Sequence, residues 1–171
     1  GRTLDQITTD FGAGIPLVRV MPNVAATVGQ SMTALTATRA TDAQVAAVRS
    51  LMDSVGRTIL IDEDYFPVFQ ALASCSPAWY FQIVDSFARA GLKYGLSKDS
   101  AVEIAAQAMA GAAALLLAER EAGTIPAQLI DRVTSPGGTT IAGLLAAEEG
   151  GLSTALVGAV DASIHADSHL G

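Results

Sequence analysis

The segment Thr134-Ser135-Pro136-Gly137-Gly138-Thr139-Thr140 is the place where this sequence could do chemistry. Proline donates no backbone hydrogen bond and glycine carries no side chain, so a ligand can come close to the main chain here. Ile141 to Glu149 reads as a helix, and the segment leads straight into it. The first N–H groups of a helix have no internal partner. Together with the positive end of the helix dipole they suit a carboxylate or a phosphate. Two adjacent threonine hydroxyls add adjustable donors or acceptors. The residues alone leave two readings open: an anion site with hydroxyl specificity, or an ordinary helix start after a Pro-Gly turn.

Other candidates carry less. Cys75 lies between Ser74 and Ser76 with no histidine near it in sequence to activate a nucleophile, so it reads as a small, semi-buried side chain. His165 and His169 share a helix face but have no further ligand, and one cysteine with two histidines makes a metal site improbable. Asp62-Glu63-Asp64 reads as a charged linker between domains, and Glu148-Glu149 as solvated helix surface. Asp131-Arg132 reads as a brace for the glycine loop, and Trp79, Tyr80 and Phe81 as helix-packing anchors.

Two textures position these groups. Up to about residue 61, short β-rich runs surround one helix. Pro16 to Met21 reads as a buried strand closed by Pro22-Asn23, and Ser31 to Thr36 and Arg57 to Ile61 as weaker strands. Thr41-Asp42-Ala43-Gln44 is a capping box for a helix that Gly56 ends. From Asp62 onward the strand signals vanish. Helices are expected over Phe66 to Leu72, Trp79 to Gly95, Lys98 to Glu121, Pro126 to Val133, Ile141 to Glu149 and Ser153 to Asp167. Between Ile104 and Ala118 the only polar side chain is Gln107. A helix without a wet face must be covered all round, which points to a partner subunit.

Composition narrows the class. The 171 residues suffice for one domain or slightly more. Half are hydrophobic, 16% are charged and the mean hydropathy is +0.40, so a disordered chain is excluded. The net charge of -7 disfavours nucleic acid. The longest apolar run, Ala108 to Ala118, falls short of the roughly 20 residues that span a bilayer. The first residues hold no apolar leader. The expectation is a cytoplasmic protein with no membrane and no nucleic-acid partner.

From Val133 to Leu144, Val-Thr-Ser-Pro-Gly-Gly-Thr-Thr-Ile-Ala-Gly-Leu resembles the signature of the pyrroline-5-carboxylate reductases. Arg19-Val20-Met21-Pro22-Asn23, the Glu-Glu-Gly-Gly-Leu stretch from Glu148 and the terminal helix also match, so the resemblance covers essentially the whole chain. It implies a mainly α protein: an all-α dimerisation and substrate-binding domain over residues 62–171, preceded over residues 1–61 by the last strands and helix of a dinucleotide-binding Rossmann domain. No G-x-G-x-x-G is present, so a fragment is implied. The implied activity is reduction of 1-pyrroline-5-carboxylate to L-proline with NADPH or NADH, in a homodimer or larger homo-oligomer. Gly137, Gly138, Thr139 and Thr140 would bind the substrate, with the Thr140 hydroxyl as the catalytic group facing the ring nitrogen. Met21, Pro22, Asn23 and Ser135 would border the nicotinamide. No metal is implied. Where the family has Ser-Gly-Ser-Gly-Pro-Ala, this chain has Ala73-Ser74-Cys75-Ser76-Pro77-Ala78, and Val24-Ala25 replaces Thr-Pro after Asn23. Those departures keep two alternatives in view: a non-catalytic dimerisation module, or a paralogue acting on another imine or keto acid.

Overall fold

The computed structural model describes residues 2–168. His169 of the histidine pair lies outside them. The described chain is mainly helical, with a three-stranded sheet near the N-terminus, and falls into two units. One gathers the residues up to Ala78 and from Gly158 onward; the other is Trp79–Val157. The step from strands to helices at 61/62 lies inside the first unit.

In the first unit, α1 (Leu4–Phe11) precedes β1 (Leu17–Met21), β2 (Ser31–Thr38), α2 (Asp42–Asp53) and β3 (Gly56–Leu60). β2 is central. It pairs antiparallel with β1, Met21 opposite Ala34, and parallel with β3, Ser31 opposite Gly56. The helix α1 is an addition to the sequence reading, although Thr3 and Gln6 form a reciprocal capping box like that of Thr41 and Gln44. The role expected of Gly56 also changes. α2 stops at Asp53 with Ser54 as its C-cap, and Gly56 begins β3.

Next comes α3 (Phe66–Phe69), which passes through a π-turn over Gln70–Cys75 directly into α4 (Ser76–Lys93). Phe66, Phe69 and Ala73 from this stretch close on Ala34 of β2, with Met21, Met32 and Ile61 packed around them. Within Asp62-Glu63-Asp64 the two aspartates are exposed, but Glu63 is drawn into the fold. Glu63 accepts hydrogen bonds from the Arg19 guanidinium and the Leu4 N–H, both at 2.7 Å, and Arg19 lies 4.2 Å over the Phe66 ring. These bonds tie α1, β1 and the start of the helical stretch together.

The second unit is a run of helices. α4 ends in a Schellman motif: Leu96 N–H bonds to Gly91 C=O, Gly95 N–H bonds to Leu92 C=O, and Gly95 is left-handed at φ 93°. Ser97 then caps α5 (Lys98–Glu119). α6 (Pro126–Val133), α7 (Thr139–Glu149) and α8 (Leu152–Asp167) follow. Tyr80 and Phe81 do not act as anchors within the chain, since both are exposed, Phe81 by 68%, whereas Trp79 is half-buried. The apolar run 108–118 belongs to a 25-residue helical segment, Lys98–Ala122, that is long and apolar enough to cross a membrane by length and composition alone. The expectation based on the uninterrupted run understated it. Almost none of this helix is covered by its own chain; Ala101 is its one buried residue among those described, and Ile104 is 57% exposed.

The α4–α5 corner carries an ion triplet. Asp85 meets Arg89 at 2.7 Å and Lys98 at 3.1 Å. The hydrogen bond from Lys98, helped by the charges of Arg89 and Lys98, holds the Asp85 carboxyl below the usual carboxylate range. A depressed pKa stabilises the fold above the ordinary carboxylate value and loses that effect as pH falls through the depressed one. Lys98→Met should return the Asp85 midpoint toward normal in a carboxyl-carbon NMR titration. An unmoved midpoint would exclude Lys98 as the cause.

Candidate functional site

The glycine segment is built as a tight turn followed by a helix start. Pro136 and left-handed Gly137 (φ 70°) occupy its central positions, the arrangement of a type II turn, and Gly138 N–H closes it on Ser135 C=O at 2.9 Å. Gly138 is the N-cap of α7 in extended conformation (φ -78°, ψ 168°). A Cβ there would collide with the Ser135 hydroxyl and lie 3.1 Å from its carbonyl oxygen. Thr139 and Thr140 are the first two residues of α7, two residues earlier than the sequence suggested.

This geometry redistributes the expected anion donors. The Gly138 N–H serves the turn and is not available to a ligand. The first backbone bond of α7 runs from Ala142 N–H to Gly138 C=O, 3.3 Å, so the N–H groups of Thr139, Thr140 and Ile141 precede any intrahelical partner. No side chain caps α7, and Ser135, Thr139 and Thr140 are exposed. The turn is braced from behind. Thr134 Oγ donates to Ile130 C=O at 3.0 Å, and Arg132 grips Glu119 at the end of α5 at 2.6 Å. Of the expected Asp131-Arg132 brace, Arg132 thus reaches α5, while the Asp131 C=O accepts from Thr134 N–H and Oγ at the start of the loop. Glu148 is partnered too, accepting from Ser153 Oγ at 2.9 Å.

Met21, Pro22 and Asn23 lie in the first unit, at the end of β1. The Met21 side chain packs against the buried cluster, while Pro22 is exposed. Asn23 is engaged through three groups. Its N–H donates to Ser31 Oγ (3.2 Å), its Oδ1 accepts from Ala25 N–H (3.2 Å), and its Nδ2 donates to Ala73 C=O (2.8 Å). Ala73 belongs to the π-turn. The stretch Ala73–Ala78 is therefore helical, and Cys75 does not sit in a loop; it is half-buried within the turn. Ser76 Oγ donates to Leu72 C=O at 2.6 Å, and Ser74 Oγ is buried without a partner among the described residues. Sequence reasoning singled out neither Ser31 nor Ser76 as supports. Pro77, a proline within a helix, was the readable signal for the second. Among the described residues no group of three or more His, Cys, Asp or Glu could hold a metal.

An α/β end joined to helices with uncovered apolar faces, one of them starting behind a Pro-Gly-Gly turn with no side-chain cap, defines a mainly helical domain carried on a small sheet. The family model for pyrroline-5-carboxylate reductase dimerisation matches residues 63–170, and the chain belongs to the pyrroline-5-carboxylate reductase family. A pyrroline-5-carboxylate reductase of Mycobacterium tuberculosis is 38% identical over 95% of this chain and 60% of its own length. The 1-pyrroline-5-carboxylate reductase of Streptococcus pyogenes superposes with a TM-score of 0.85 at 40% identity, covering 95% of this chain and 62% of that one. A pyrroline-5-carboxylate reductase of Coxiella burnetii gives 0.92 at 31% identity, covering 99% and 62%. The chain thus spans about 60% of the length of these relatives.

Proposed function

We propose that this chain is the substrate-binding and subunit-joining part of an enzyme that reduces 1-pyrroline-5-carboxylate to L-proline. The observation that carries this reading is the uncapped start of α7, where the amides of Thr139, Thr140 and Ile141 precede any intrahelical partner behind a turn that proline and glycine favour. A five-membered imino acid presents a carboxylate to those donors and its ring nitrogen to the adjacent Thr140 hydroxyl. Gly137 and Gly138 supply the turn and the space, and Ser135 the near wall. Residues 1–61 act as the end of a Rossmann-type domain and residues 62–171 as the dimerising part, in a cytoplasmic homodimer or larger homo-oligomer.

The nicotinamide cofactor, NADPH or NADH, would lie along the end of β1. Exposed Pro22, with Val24 61% exposed beside it, offers an apolar edge that fits a flat ring, while no glycine-rich phosphate loop occurs in this sequence. When bound, the cofactor supplies a hydride to the carbon of the C=N bond. The chain's own part is orientation. The α7 amides fix the carboxylate, and the Thr140 hydroxyl holds the proton that stays on the ring nitrogen. The uncovered α5 face is read as the seat of a second copy; the family match over residues 63–170, by name a dimerisation domain, supports that reading over a membrane span.

Thr140→Ala in the full-length polypeptide should lower turnover of pyrroline-5-carboxylate by about 10- to 100-fold, read as NAD(P)H oxidation. An unchanged rate would remove Thr140 from the reaction. Titrations with proline and NADPH separate the alternatives: binding of neither indicates a non-catalytic module, and NADPH without proline indicates a different imine or keto acid.

A further inference from the structure

We infer that Asn23 is a positioning residue: its side-chain amide holds the π-turn in place by taking the Ala73 carbonyl beside the gap that Pro77 leaves. The argument starts with Pro77. In a regular helix its ring would press on the carbonyl of Ala73, and it has no N–H to offer that carbonyl. Widening the helix to i→i+5 bonding over Gln70–Cys75 relieves the clash. The Ser76 N–H then bonds to Ala71 C=O. The next donor in line would be residue 77, which has none. The Leu72 and Ala73 carbonyls next to this gap are both met by side chains: Ser76 Oγ reaches Leu72 at 2.6 Å, and Asn23 Nδ2, fifty residues away in sequence, reaches Ala73 at 2.8 Å. Buried carbonyls need such partners, and Ala73 is buried.

Asn23 is itself held from two other sides. Its Oδ1 caps the 3-10 turn Val24–Val28 through Ala25 N–H, and its own N–H is anchored on Ser31 Oγ, a buried hydroxyl that also meets Thr33 Oγ at 3.2 Å. One residue therefore joins the end of β1, the 3-10 turn and the π-turn. The side chain's Oδ1 and one Nδ2 hydrogen are spent on the protein. Its effect on reduction, which rests on the reading proposed above, runs through the placement of the Met21–Asn23 edge against the π-turn and not through contact with the cofactor.

Asn23→Ser and Asn23→Asp both retain an oxygen that can cap Ala25, and neither can donate to Ala73 as the amide does; the aspartate also sets a charge against that carbonyl. In the full-length polypeptide, amide hydrogen exchange over residues 70–80 should quicken about tenfold or more in both variants, with exchange in α5 unchanged. kcat should fall by about tenfold while KM for NADPH moves less than about twofold, because geometry and not cofactor binding is lost. Unchanged exchange over 70–80 overturns the clamp, and so does a rise in KM for NADPH at constant kcat. If the parent polypeptide reduces no pyrroline-5-carboxylate, the reductase reading fails, while the exchange comparison still decides the clamp.

Discussion

Gly56→Ala is expected to destabilise the first unit by about 3–5 kcal/mol, the range reached when a side chain is forced into a site with no room to relax. Gly56 opens β3 opposite Ser31 in the parallel pairing, at φ 156°. A Cβ there would overlap the Ser31 nitrogen and oxygen and lie 2.7 Å from its carbonyl carbon. All three are main-chain atoms of the central strand, so no rotamer change can make room. The two strands would have to part, and the Ser31 N–H would lose Val55 C=O, now at 2.9 Å. The damage would extend to the candidate site, because Ser31 Oγ anchors the Asn23 N–H. Gly29→Ala is the internal control. Gly29 is left-handed at φ 69°, but its Cβ would meet open space, so only the backbone preference of about 1–2 kcal/mol should be lost. Urea unfolding at one fixed protein concentration compares the two. Equal losses would show that the β2–β3 approach is looser than the pairing implies.

The contrast between these glycines shows why some of the fold was legible and some was not. Local signals announced themselves. The capping box at Thr41, the serine cap at Ser97 and proline at the start of α6 each mark an element whose start the structure places there. Gly56 looked like a helix stop because a glycine a few residues past a helical pattern commonly is one. Its real role depends on Ser31, twenty-five residues earlier, and pairing across that distance leaves no mark on the neighbouring residues. The same holds for Glu63. In sequence it belongs to an acidic triplet, yet in space it is the acceptor shared by Arg19 and Leu4.

At the site, the signature segment was legible as a turn feeding a helix, while the bond from Gly138 N–H to Ser135 C=O was not. A four-residue turn uses the N–H of its last residue to close on itself. The π-turn was hidden differently. Ala73–Ala78 differs from its family pattern by losing two glycines; the informative residue was Pro77, whose missing N–H leaves a gap beside the Ala73 carbonyl to which Asn23 bonds. The apolar face of α5, by contrast, was plain from the residues. Gln107 alone among Ile104–Ala118 has a polar side chain, and the helix indeed finds almost no cover in its own chain.

Thr139→Pro tests the anion site most directly, and substrate binding is expected to weaken by about 10- to 100-fold, corresponding to one lost charge-assisted hydrogen bond of roughly 1.5–3 kcal/mol. Most substitutions at a helix start alter side chains and leave the amides in place. Proline removes an amide, and Thr139 is the first helical residue of α7, where proline is tolerated because that N–H has no intrahelical partner. Gly138 before it is already extended at ψ 168°, as a residue preceding proline must be. The helix should therefore persist, which circular dichroism would verify. Thr139→Ala separates hydroxyl from amide: it keeps the N–H, and binding should change by less than about threefold. The readout is KM for pyrroline-5-carboxylate together with the dissociation constant for proline in the full-length polypeptide. Should the proline variant bind as well as the parent while the alanine variant fails, the threonine hydroxyl and not the backbone would hold the carboxylate, and α7 would lose its place as the anion-binding element.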